Sequence, residues 1–144
     1  MKQSIILILT CITMLACSSR TSSETEDNQT QLLDDHVEVL YFHGKQRCVT
    51  CRAIEEHTKE LLEQHYAEQM ENGQLCMKII DISKKENEEI ADKYQVTWSS
   101  LILVQYKYKK ETADNLTEFA FAKARSNPEE YKEGLSEKID KALE

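Results

Sequence analysis

Two cysteines, Cys48 and Cys51, stand three apart where the apolar run of residues 37–42 passes through His43-Gly44-Lys45-Gln46-Arg47 into a helix-like segment. On a first helical turn, side chains at i and i+3 lie about 5–6 Å apart. A disulfide accepts Cα separations of roughly 4.4–6.8 Å, so such a pair can open and close without moving the backbone. The N-terminus of a helix presents unpaired N–H groups and partial positive charge, which favour a thiolate on the first cysteine over the second. Lys45, Arg47 and Arg52 add to that field. The chemistry is that of a redox dithiol. A purely structural bridge is the weaker reading, because closing so short a loop removes little chain entropy.

A dithiol needs a strand to deliver it and a helix to hold it. Residues 37–42 are nearly all apolar, as in a strand covered on both faces. Residues 52–69 lack Gly and Pro and place Ile54, Leu61, Leu62 and Tyr66 on one helical stripe, ended by Asn72-Gly73. Residues 75–82 predict a second strand, and Ser83 with Glu86 predicts a capping box for a helix over 84–94, with Ile90, Ala91 and Tyr94 inward. Residues 101–108 predict a third strand, 109–115 a turn, and 116–122 its hairpin partner. Ser126 or Asn127 then caps a last helix, with Pro128 in its first turn and Tyr131, Leu135, Ile139 and Ala142 on one face.

The 144 residues suit a single domain, and 40% apolar content is enough for one core. A formal charge of −8, with acids interrupting nearly every basic run, argues against a nucleic-acid partner. The start of the chain has the form of a signal peptide over residues 1–16: Lys2, then an apolar run over 5–15 too short to span a bilayer. That run ends Met14-Leu15-Ala16-Cys17-Ser18-Ser19, which resembles a bacterial lipobox, and the resemblance implies lipidation of Cys17. Residues 17–36 then read as a polar, flexible tether and 37–144 as the folded domain. The expected place is the bacterial cell envelope, exported and lipid-anchored, facing the periplasm. Cys76, inside the apolar run Leu75-Cys76-Met77, is either a buried inert thiol or a third sulfur near the dithiol. His36, His57 and His65 read as surface residues.

The order β-α-β-α-β-β-α, with Cys-X-X-Cys between the first strand and its helix, resembles the thioredoxin fold over residues 37–143. That implies an α/β domain whose four-stranded mixed sheet is flanked by helices. More closely, the stretches 41–48, 81–88 and Val96-Thr97-Trp98-Ser99-Ser100-Leu101 resemble a family of small thioredoxin-like bacterial lipoproteins labelled nitrophenyl compound nitroreductase subunits and associated with arsenic resistance. No stretch here resembles a flavin site, so the resemblance implies electron or thiol delivery to another component.

Thioredoxin roles carried over make Cys48 the exposed attacking thiolate and Cys51 the buried resolving thiol, with no cofactor beyond the disulfide itself. The implied partner is a protein dithiol or disulfide, such as a membrane reductase. The chain departs from that pattern in three places. Val49-Thr50 replaces Gly-Pro, which leaves the potential open over about −270 to −120 mV. Ser99 or Ser100 stands where the family has a cis-proline. Phe42 stands where the family has a strand acid. Serine in place of proline is expected to open the site, so the alternative function is a dithiol module that binds arsenite, copper or zinc through Cys48 and Cys51, with His43 or Cys76 as a third ligand. His43 and Arg47 are candidate modulators of the thiols. Trp98, Ser99 and Ser100 are the candidate substrate groove, Trp98 either covering the dithiol or packing its loop.

Overall fold

A computed structural model describes residues 32–144; the signal-peptide and lipidation expectations, including Cys17, lie outside the described residues. Four strands and five α-helices follow in order: β1 (His36–His43), α1 (Val49–His65), α2 (Ala67–Glu71), β2 (Leu75–Asp81), α3 (Glu88–Lys93), β3 (Ser100–Lys107), β4 (Lys110–Asn115), α4 (Thr117–Lys123) and α5 (Pro128–Leu143). The sheet order is β2-β1-β3-β4, with β1 parallel to β2 and antiparallel to β3. β1 therefore sits inside the sheet, and its side chains alternate between two cores. Val37, Val39 and Tyr41 pack with Ile54, Leu61 and Leu62 of α1 and with Tyr131, Leu135 and Ile139 of α5. Leu40 and Phe42 pack with Ile80, Val96 and Ile102 on the side of α3. A parallel central strand buried on both faces needs such a continuous apolar run. The fold is thioredoxin-like.

Three sequence expectations fail locally. The partner of β3 is residues 110–115, not 116–122. Tyr108 and Lys109 form a two-residue turn with φ of 53° and 61°, so the returning strand starts at once, and as an exposed edge strand it carries no apolar alternation. Residues 116–122 instead enter α4, where Leu116, Thr117, Ala120 and Ala124 are buried at helical spacing. Ser83 caps no helix: its backbone N–H and its hydroxyl both donate to Asp81 Oδ1, at 2.9 and 2.7 Å. A 3-10 turn at Lys85–Asn87 precedes α3. The long first helix begins earlier, at Val49, and breaks at Tyr66. That residue leaves helical geometry (φ −127°) while its hydroxyl is held at 2.7 Å by both Ser136 Oγ and Asp140 Oδ1 of α5.

The folded unit also reaches back before β1, since the Leu33 N–H donates to the Gly73 carbonyl at 3.2 Å. His36 is not a surface residue: it stacks on Tyr106 with centroids 4.5 Å apart, and Nδ1 donates to the Leu33 carbonyl at 2.6 Å. Among the described residues no helix is long and apolar enough to cross a membrane.

Candidate functional site

β1 ends at His43, and the loop over 44–47 carries the chain to the N-terminus of α1. Cys48 is the N-cap: its backbone is extended (φ −70°, ψ 167°), and its Sγ accepts the Cys51 N–H at 3.1 Å. A cap normally uses an oxygen; here a sulfur takes one of the otherwise unpaired helical donors. Cys48 and Cys51 form a disulfide across a Cα separation of 5.0 Å. Cys48 is exposed and Cys51 buried, so the first cysteine is the one that faces solvent.

Under the disulfide lies Tyr41, which is fully buried. Its hydroxyl donates to the Cys51 carbonyl at 2.6 Å, and the N–H of the same peptide unit, on Arg52, donates to the Cys48 carbonyl at 3.1 Å. The first turn is thereby tied from both ends of one peptide. Burial pushes the Tyr41 phenol up, against the opposing pull of Arg47 and of Ser99, so it stays protonated and remains a donor. Arg47 lies with Cζ 5.7 Å from the centre of the Tyr41 ring and pairs with Glu55 of α1. Neither Tyr41 nor Glu55 is given a role at the site by the sequence. Tyr41 passes there as one more apolar strand residue, while Glu55, four after Cys51, was legible as a carboxylate one helical turn beyond the second thiol.

The remaining candidates divide. Ser99 and Ser100 are buried, and Ser100 Oγ donates to the Trp98 carbonyl at 3.0 Å. Ser100 pairs with Phe42 across β1 and β3, beside the strand end that leads to the dithiol. Trp98 is 57% exposed and meets Phe121 of α4, centroids 5.2 Å apart. His43 Nδ1 donates to the Gly44 carbonyl at 3.0 Å, and its ring centre lies 6.1 Å from that of Tyr41.

Cys76 pairs with Glu38, whereas the strand end nearest the dithiol pairs His43 with Asp81. Five residues of strand, about 16 Å at 3.3 Å each, separate Cys76 from that end, so it cannot act as a third ligand. Burial and then Glu38 push its thiol up to about 11. Glu38 is a further surprise: a buried carboxylate on β1, paired with Lys78 and 3.5 Å from His36 Nε2. Among the described residues no group of three His, Cys, Asp or Glu is arranged to hold a metal ion.

No protein-family model and no curated protein matches the chain. Among solved structures, a thioredoxin-2, described as a component of malaria parasite protein secretion machinery, aligns at 23% identity over 56% of this chain and 70% of that one, with a TM-score of 0.41. A second malarial protein aligns at 21% identity over 60% of this chain and 93% of that one, with a TM-score of 0.40. At these values the fold rests on element order and sheet topology, not on the alignments.

Proposed function

We propose that this protein is an exported, lipid-anchored thiol-disulfide oxidoreductase that exchanges electrons with a partner protein through Cys48 and Cys51. The observation that carries the reading is the asymmetry of the pair: Cys48 is exposed at a helix N-cap with its sulfur already accepting an N–H, and Cys51 is buried one turn in. In the reducing direction the Cys48 thiolate attacks a partner disulfide and expels one partner thiolate, forming a mixed disulfide. Cys51, losing its proton to solvent, then attacks Cys48 Sγ, closes the internal disulfide and releases the second partner thiolate. Two electrons pass to the partner, and its two thiolates take up protons. The disulfide is the only redox group this requires.

The experiment is insulin-disulfide reduction with a dithiol reductant. Wild type is expected to turn over, Cys48→Ser to be inactive, and Cys51→Ser to accumulate mixed disulfide; an inactive wild type refutes the reading. Membrane attachment rests on the lipobox-like Leu15-Ala16-Cys17 and is tested by incorporation of labelled fatty acid, lost in Cys17→Ser. The resemblance to arsenic-resistance-associated lipoproteins supports, as partner, an envelope component that receives electrons.

A further inference from the structure

Arg47 carries a buried hydrogen-bond donor that the described residues leave unpaired. Its guanidinium pairs with Glu55 Oε2 and lies over Tyr41, and the other Glu55 oxygen accepts from Lys59 Nζ at 2.7 Å. Arg47 Nε is buried and has no partner among the described residues. A buried unpaired donor costs about 1–3 kcal/mol, and native structures rarely keep one without a use. Its position narrows that use. Arg47 directly precedes Cys48, while Glu55 lies one turn beyond Cys51 on the same side of α1. Long helical side chains lean toward the N-terminus, and the pairing with Arg47 places the Glu55 carboxylate alongside that first turn. The donor therefore belongs to the residue next to a cysteine whose sulfur is held in a disulfide, an uncharged and weak acceptor. Reduction would put a negative charge there.

We propose that the Arg47 Nε–H is reserved for the thiolate of the reduced dithiol, with Glu55 and Tyr41 fixing the guanidinium, so that Arg47 favours the reduced state and holds the Cys48 thiol low. The inference rests on Cys48 and Cys51 being a working couple. The step balances: the disulfide takes two electrons from a dithiol reductant, which closes to its own disulfide and releases two protons. One proton goes to Cys51, and the other is lost to solvent, leaving Cys48 as thiolate. Arg47 is a positioning residue in this scheme, and Glu55 a counter-charge that limits its pull.

Arg47→Lys keeps the charge but has neither the Nε–H nor the planar fork. The readouts are thiolate absorbance against pH and the equilibrium constant with glutathione, both measured on the isolated protein. Arg47→Lys is expected to raise the Cys48 titration midpoint and shift the equilibrium tenfold toward the disulfide, about 30 mV more reducing. That shift persists in 1 M salt, where the Debye length is about 3 Å, whereas any shift in Lys45→Gln disappears. Glu55→Gln keeps an oxygen for Arg47 but removes the competing charge, so both readouts move the opposite way. If Arg47→Lys stays within twofold of wild type the proposal is overturned; should that variant not fold, an unmoved Glu55→Gln overturns it instead. Neither readout needs a partner protein, so an inactive wild type in the insulin assay leaves this test standing.

Discussion

Replacing Tyr41 with Phe removes one oxygen from the floor of the site and nothing else. The ring stays in its core, so no hydrophobic burial is lost, and the Cys51 carbonyl keeps its helical partner, the N–H four residues on in α1. What disappears is a 2.6 Å bond between buried groups, with a net contribution of about 0.5–1.5 kcal/mol. A pair with Cα atoms 5.0 Å apart can open without moving the backbone, so the oxidised and reduced proteins should lose stability equally. Urea unfolding of both forms measures the two losses, and their difference is the shift in potential. For a two-electron couple about 30 mV corresponds to 1.4 kcal/mol, so a matched loss leaves the potential unmoved to within a few mV. A loss above about 3 kcal/mol, or a shift of about 30 mV, would refute the view that the Tyr41 hydroxyl acts only by tying the first turn, since the ring under Arg47 is kept.

Cys76, half-buried with its thiol pushed up to about 11 by burial and Glu38, should resist iodoacetamide at pH 8 in the folded reduced protein while Cys48 is modified; mass spectrometry of the labelled protein checks this. Lys109→Gly relieves one of the two positive-φ positions in the β3–β4 turn, which costs a non-glycine residue about 1–2 kcal/mol, partly offset by the freer unfolded glycine. Urea midpoints should rise, and a fall would show that the Lys109 side chain contributes more than the strain it carries. Burial raises Tyr66 to about 12 and also raises Tyr41, Tyr94 and Tyr131. Below pH 10 both folded and unfolded chains keep these protons. Above it only the unfolded chain releases them, so stability should fall as pH rises from 10 through 12. Unfolding free energies that stay flat over that window would contradict the burial of these hydroxyls.

The sequence by itself determined the parts of the site that depend on near neighbours. A strand that must be apolar on both faces, a loop, and two cysteines one helical turn apart are local patterns, and Val37 to Phe42 with Cys48 and Cys51 stand where those patterns put them. The last helix was equally legible, because Tyr131, Leu135 and Ile139 repeat at the helical period. β4 was not. An edge strand with every residue exposed has no apolar code, and the backbone conformation of Tyr108 and Lys109 is one those residues rarely adopt.

Tertiary structure alone decided what surrounds the sulfurs. The Tyr41 hydroxyl reaches Cys51 only because β1 runs beneath α1, and Arg47 meets Glu55 only because the loop folds back along the helix. Ser99 and Ser100 are buried by what packs over the start of β3. Cys76 is carried to the far end of its strand by the parallel register with β1. Each of these depends on where separate elements meet, and periodicity within one element carries no information about that.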